Sequence, residues 1–168
     1  MIIRHADMGD LDRLAYIEAA CFPTAEAASK ESLAARLRAF PECFWLGCAD
    51  EGIVSFVNGM ATDLPALTDE MYADASMHDP NGAWLMIFGV DTLPRYRGRG
   101  VASAVLRRAV EETRARGRRG LVLTCKPALV HWYARFGFVD EGLSDSTHGD
   151  AVWHQMRLTF GTEGTTAV

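Results

Sequence analysis

The 168-residue sequence lacks several features that define other classes of protein. It has no apolar run near the roughly 18 residues that a membrane-spanning helix needs, so nothing in it predicts action at a membrane. Its first residues, 1–7, also lack the apolar core of a secretory signal peptide. We therefore expect a cytoplasmic protein.

Cysteine pairs and metal motifs are also missing. The four cysteines are Cys21, Cys43, Cys48 and Cys125, and no two of them have the C-x-x-C spacing that is typical of zinc sites and redox motifs. The sequence therefore predicts reduced thiols and no metal site. It also contains no interdomain linker, so we expect one domain over residues 1–160, followed by a small, polar and flexible tail at 161–168.

Positive charge is absent from a long internal stretch. Residues 39–94 contain no Lys or Arg but nine acidic residues, whereas residues 95–119 contain nine arginines. The first region disfavours anions and the second attracts them, which suits an anionic cofactor together with a cationic amine substrate. The acidic loops could equally serve solubility. The net charge of −5 makes nucleic acid a poor partner.

The most informative segment joins an apolar run at 83–90 to a helical pattern at 103–116. Its glycines allow the backbone to approach an anion, its arginines suit phosphate oxygens, and free N–H groups at a helix start attract negative charge. The segment has neither the lysine of a P-loop nor the third glycine of a dinucleotide fingerprint. The residues expected to bind the phosphate-bearing ligand are Arg95, Tyr96, Arg97, Gly98, Arg99, Gly100, Val101 and Ala102.

Two segments together resemble a known family. The R-x-x-G-x-G pattern from Arg95 to Gly100 is similar to the pyrophosphate loop of the GNAT superfamily of acetyltransferases. The run from Trp132 and Tyr133 to Gly137 and Phe138 resembles the coenzyme-side helix of the same superfamily. The second run is most similar to the serotonin (arylalkylamine) N-acetyltransferase branch.

The resemblance implies an α/β fold in three layers, with a twisted, mostly antiparallel sheet of about seven strands and a splayed central strand. It implies acetyl-CoA as co-substrate, held by the loop and by main-chain groups of Phe88, Gly89 and Val90. The hydrophobic patterns predict strands at 2–5, 44–49, 53–62, 84–90, 120–125, 138–142 and 152–159 and helices at 10–21, 29–40, 68–75, 103–116 and 129–136.

The resemblance also implies catalytic roles. Tyr133 matches the tyrosine that protonates the departing thiolate. The two histidines of the arylalkylamine branch are replaced by Trp84 and Met86, which cannot accept a proton. His78 is then the predicted general base. His131, Glu26, Asp91 and a water chain remain open as alternatives.

We expect the amine pocket to form from the first two helices, their connection and loops beside the central strand. Phe22, Pro23, Tyr72, Trp84 and Met86 are the candidate substrate-binding residues, and Asp69 or Glu70 could hold a second cationic group. The predicted function is acetyl transfer to a small arylalkylamine-like or polyamine-like molecule, in a monomer or homodimer. The alternatives are a protein or peptide acetyltransferase and a non-catalytic acyl-CoA-binding regulatory module.

Overall fold

The computed structural model describes residues 1–161, so all of the predicted tail except residue 161 lies outside the described part. The helices are α1 (Leu11–Cys21), α2 (Lys30–Ala39), α3 (Asp69–Ala73), α4 (Val101–Ala115) and α5 (Val130–Ala134). The strands are β1 (Ile2–His5), β2 (Phe44–Ala49), β3 (Gly52–Thr62), β4 (Trp84–Thr92), β5 (Gly120–Cys125), β6 (Val139–Leu143) and β7 (His154–Thr159).

The strands form one open sheet, which confirms the predicted α/β fold with seven strands. The spatial order is β1-β2-β3-β4-β5-β7-β6, and β4 with β5 is the parallel pair within an otherwise antiparallel sheet. The last strand lies between β5 and β6, an insertion that hydrophobic periodicity cannot reveal. Helix α1 packs on α2 and on the central strands, and α4 packs across β2 to β5, so helices flank the sheet.

The central strand β4 is irregular where the predicted ligand would lie. Asn58 of β3 pairs with Gly89, but the next residue, Gly59, pairs with Ile87. Phe88 is therefore an extra residue, which is the geometry of a β-bulge. On the other side, β4 pairs with β5 only as far as Ile87. The strands separate beyond that point, as the resemblance predicted.

The helix boundaries follow local signals. The Ser29 hydroxyl accepts a hydrogen bond from the Ser32 N–H at 3.1 Å, which caps α2 as predicted. Helix α4 begins at Val101, two residues before the predicted start, immediately after Gly100. Helix α5 is shorter than predicted and ends at Ala134. Its first predicted residue belongs to a 3-10 turn that begins at Pro127.

The hydrophobic core lies around the middle of the sheet. Its fully buried members include Phe44, Phe56 and Leu85 from the strands, with Ile17 and Leu106 from the helices that cover them. None of the helices within residues 1–161 has the length and apolar character needed to cross a membrane.

Candidate functional site

The first cavity, the loop cavity, has a volume of about 660 Å³ and lies at the start of α4. Gly98 and Gly100 line it with φ angles of +73° and +78°. A side chain at either position would meet open space, so the backbone angle is what requires glycine. The first turn of α4, from Val101 to Ser103, also lines the cavity and presents free backbone N–H groups. This chemistry fits the phosphates of an acyl-CoA.

The loop arginines do not all face this cavity. Arg97 lines it, and its Nε donates to the Thr92 carbonyl at 3.1 Å. Arg95 instead pairs with Glu51, and Arg99 lies over the ring of Tyr96, which itself lines the cavity. A second cavity arginine, Arg135, comes from the end of α5 and was not predicted. Arg95 and Arg99 of the predicted set thus lie outside the cavity.

The second cavity, the inner cavity, has a volume of about 560 Å³ and lies between α1, α2 and the splayed strands. Phe22, Pro23 and Tyr72, three of the predicted substrate-binding residues, line it. Phe88, Gly89 and Val90 line it as well, and Val90 also reaches the loop cavity. Because β5 has separated from this part of β4, main-chain groups on that side have no strand partner among the described residues.

Gly89 is required by a close approach. A Cβ at this position would lie 2.9 Å from Oδ1 of Asp91 and 3.8 Å from the ring of Phe22. A larger residue would push the buried carboxylate or narrow the inner cavity. The glycine in the strand therefore reflects crowding by a charged side chain rather than contact with a helix backbone.

Tyr133 lies where the two cavities meet, because it lines both of them. Its side chain packs edge-on against Trp132 and Phe138, with ring centroids at 4.9 and 5.9 Å. Burial, followed by the charges of nearby Cys125 and Asp91, raises the pKa of the phenol well above its ordinary value. The hydroxyl therefore keeps its proton at neutral pH and can donate it in a hydrogen bond.

His78 does not lie in either of these cavities. Its Nδ1 accepts a hydrogen bond from the Ala61 N–H at 3.1 Å, its ring packs against Phe40, and its Nε2 lies 3.5 Å from a carboxylate oxygen of Glu42. Burial lowers the pKa of the imidazole. The structure therefore gives no support to His78 as the base, because its side chain lies outside both cavities and is held by these contacts.

Glu42, Cys43 and His78 form the one group in residues 1–161 with donor atoms close enough to hold a metal ion. Its chemistry fits a metal poorly. The lone pair of His78 Nδ1 is already used by the Ala61 N–H, so Nε2 carries the proton of the neutral ring. Burial also raises the pKa of the Cys43 thiol to about 12, which disfavours a thiolate.

Trp84 and Met86 were predicted to line the amine pocket, but they lie outside both cavities. They belong to the part of β4 that is still paired on both sides, before the strands separate. Met86 is fully buried, and Arg157 covers the ring of Trp84 at 4.5 Å. Both side chains are therefore packed away from the two cavities.

The inner cavity contains charged and polar residues that the sequence analysis did not select. Glu18 and Arg36 are buried there, with Asn58 between the helices and the sheet. One signal was readable in advance. Glu18 falls on the apolar face of α1, between Leu14 and Cys21. Because a carboxylate is rarely buried without a partner, its place on this face indicates a functional or structural role.

Residues 144–153, here called the strap, lie against one side of the inner cavity. Asp69 accepts hydrogen bonds from Ser146 Oγ at 2.5 Å and from the Thr147 N–H at 3.0 Å. His148 Nε2 lies 2.8 Å from the Glu26 carbonyl oxygen and its ring stacks on Tyr72. The strap is thereby attached to α3 and to the segment after α1.

Glu26, His131 and Asp91 were the other candidates for the base. Glu26 lines the inner cavity and forms an ion pair with Lys126 at 2.8 Å. His131 is exposed on α5. Asp91 is completely buried beside Glu18, directly beneath the cavity wall.

Comparison with a protein-family model identifies the family to which the chain belongs. The model of the GNAT acetyltransferase family matches residues 11–138, a range that contains the loop, the splayed strand and Tyr133. The chain belongs to the GNAT family. The family is one of acetyltransferases, and the loop cavity is where an acyl-CoA co-substrate would bind.

Individual relatives agree on the fold and differ in substrate. A glucosamine 6-phosphate N-acetyltransferase of Oryza sativa subsp. japonica is 43% identical over 47 residues, which is 28% of this chain and 28% of that protein. The structure of the GNAT-like decarboxylase GphF with isobutyryl-CoA has a TM-score of 0.83 at 23% identity, covering 95% and 99% of the two chains. PaiA N-acetyltransferase of Thermoplasma acidophilum with coenzyme A has a TM-score of 0.69 at 16% identity, covering 95% and 98%.

Proposed function

We propose that this GNAT protein acetylates the primary amine of a small molecule with an aromatic or apolar body. The observation that carries the proposal is the inner cavity, which meets the loop cavity at Tyr133. Its volume of about 560 Å³ lies within the usual range for a small-molecule site. An amine in the inner cavity could reach a thioester that lies in the loop cavity.

The walls of the inner cavity favour an aromatic acceptor over a polyamine. Tyr72 and Phe88 lie with ring centroids 4.9 Å apart, and Phe22 and Trp153 line the same space. Asp69, predicted to hold a second cation, is already occupied by the strap, and Glu70 lies outside this cavity. A second ammonium group would find no free carboxylate at that position. These contacts support the arylalkylamine-like substrate class.

Different groups of residues would serve different steps of acetyl transfer. Bound acetyl-CoA supplies the thioester carbonyl that the amine nitrogen attacks. The unpaired main chain of Phe88 to Val90 can hold the extended arm of the coenzyme and donate to the developing oxyanion. The Tyr133 hydroxyl holds a proton beside the junction and can donate it to the departing sulfur. The coenzyme-binding residues are Phe88, Gly89, Val90, Tyr96, Arg97, Gly98, Gly100, Val101 and Ala102.

Thiol release from acetyl-CoA tests this function against its alternatives. The acceptors are phenethylamine, a linear diamine of similar length, and short peptides with a free N-terminus. We expect kcat/KM for phenethylamine to exceed that for the diamine by roughly tenfold. Burial of the aromatic ring stabilises the bound acceptor, whereas burial of a second, unpaired ammonium group destabilises it. Faster turnover of the diamine or of peptides would contradict the proposal. Coenzyme binding without turnover of any acceptor would indicate a regulatory module.

A further inference from the structure

We propose that Glu18 and Asp91 share one proton and act as the base that deprotonates the substrate ammonium, with Glu18 as the contact residue and Asp91 as its positioning partner. The proposal rests on amine acetylation as the function. It is independent of His78, which lies outside the cavities.

Glu18 is placed to meet an amine. It lies near the end of α1, its side chain lines the inner cavity, and only 6% of the residue is exposed to solvent. Its Oε2 accepts a hydrogen bond from the Ala28 N–H at 2.8 Å. That contact fixes one oxygen of the carboxylate and leaves the other to interact with its surroundings.

Asp91 lies directly behind Glu18. It is fully buried, and neither of its carboxylate oxygens has a hydrogen-bond donor among the described residues. Helix α1, which carries Glu18, packs against β4, and the Glu18 carboxylate is the neighbouring charge that acts most strongly on Asp91. A buried carboxylate without a donor is costly, and a proton shared by the two carboxyl groups would supply that donor.

The negative charges of the two carboxylates also favour a shared proton. Burial raises the pKa of Asp91 well above its ordinary value, and the Glu18 carboxylate raises it further. Two like charges in contact at a buried site cannot both be ionised. We therefore assign one proton and one negative charge to the two carboxyl groups together.

Arg36 balances that remaining charge. Its side chain is buried, and its guanidinium donates to Asn58 Oδ1 at 3.0 Å and to the Tyr72 carbonyl at 2.9 Å. The guanidinium stays protonated, so the pair with one proton and Arg36 together are neutral. The other titratable groups that influence Asp91 or are influenced by it are Cys21 of α1 and Tyr133 of α5.

The proton transfer is simple to balance. One N–H bond of the substrate ammonium breaks, an O–H bond forms on Glu18, and the amine keeps the electron pair with which it attacks. The pair returns its proton to solvent when the product leaves. Accepting this proton leaves both carboxyl groups uncharged, and the burial of the pair favours that uncharged state.

The kinetic test uses Glu18→Gln and Asp91→Asn, with exposed Glu111→Gln on α4 as the matched control. The amide oxygen that Glu18→Gln introduces can still accept from the Ala28 N–H, so the local structure is kept. Phenethylamine must lose a proton at pH 7, whereas phenylhydrazine is already neutral. We expect Glu18→Gln to lower kcat/KM for phenethylamine by roughly 10²-fold. The loss for phenylhydrazine should be less than about tenfold, and Glu111→Gln should change neither.

The second test needs no substrate. The infrared spectrum of the free protein at pH 7 should contain the band of an un-ionised carboxyl group, which Asp91→Asn removes and Glu111→Gln keeps. Absence of that band in the wild-type protein would overturn the shared proton. Equal slowing of both acceptors by Glu18→Gln would overturn the base role. A wild-type protein that acetylates neither acceptor would refute the amine function while the infrared result still reports on the proton.

Discussion

The loop cavity and the inner cavity differ in where their charged groups lie. The loop cavity offers main-chain N–H groups and arginines near the surface, and its glycines keep the backbone open. In and behind the inner cavity the charged groups lie in the interior, where Glu18, Arg36 and Asp91 are at most 6% exposed. The first arrangement suits a soluble anion, and the second suits the proton transfer proposed above.

Because of this difference, substitutions in the two cavities should have effects of different size. Surface charges act through water and are weakened by salt, so a single loop arginine contributes modestly to binding. Buried charges depend on their partners, and removal of one leaves another uncompensated. We therefore expect the largest effects where the cavities meet, intermediate effects inside the loop cavity, and small effects in the loop outside it.

The largest effect is expected at Tyr133, one of the residues that line both cavities. Tyr133→Phe removes one hydroxyl and little volume, and the hydroxyl contributes only when the sulfur departs. Turnover should fall by roughly 10²-fold or more, with kcat and kcat/KM falling together. The affinity for coenzyme A, measured by calorimetry, should stay nearly unchanged because the loop and β4 supply most of its contacts.

The interpretation of that variant depends on the step that limits the rate. Single-turnover measurements with phenethylamine isolate the chemical step from product release. If Tyr133→Phe keeps the wild-type rate in such an experiment, the tyrosine has a packing role against Trp132 and Phe138 and is not the acid.

An intermediate effect is expected inside the loop cavity. Arg97→Ala removes a cavity arginine, and Gly98→Ala places a side chain at a φ of +73°, where a Cβ costs roughly 1–2 kcal/mol. The double variant should bind coenzyme A roughly 30-fold more weakly, because charge-assisted contacts and loop geometry are lost together. The melting temperature should fall by a few degrees, roughly 2–8 °C, because of the strain at residue 98, and the protein should stay folded. Unchanged affinity in the folded double variant would show that the loop does not hold the phosphates.

The two cavities also differ in how far the sequence predicted them. The loop is contiguous, so residues 95–102 carry the glycines, the arginines and the helix start within one stretch, and spacing alone indicates phosphate chemistry. The inner cavity joins Glu18, Arg36, Asn58 and Asp91 across several elements. Their meeting depends on the bulge at Phe88 and on tertiary packing, which periodicity does not encode.

Even within the loop, the sequence could not assign each arginine. The pattern treats Arg95, Arg97 and Arg99 alike, but of the three only Arg97 lines the cavity. Arg95 pairs with Glu51, and Arg99 lies over the ring of Tyr96. The partner of Arg95 is Glu51, in the turn between β2 and β3, more than forty positions earlier in the chain. A contact at that separation is visible only in the folded structure.

The smallest effect is therefore expected for Arg95→Ala, compared with Arg97→Ala alone. Each variant removes one positive charge from the same loop, so both should slow association with coenzyme A at low salt, where long-range attraction operates. At an ionic strength of about 0.15 M or above, that shared effect is screened to about 8 Å, and contacts within the cavity decide the affinity. Arg95→Ala should then bind less than about threefold more weakly than wild type, the usual scale for an exposed ion pair, because its guanidinium is held by Glu51. Arg97→Ala should remain clearly weaker at every salt concentration. Equal and lasting losses in the two variants would mean that Arg95 leaves Glu51 to join the ligand, and that both arginines belong to the binding site.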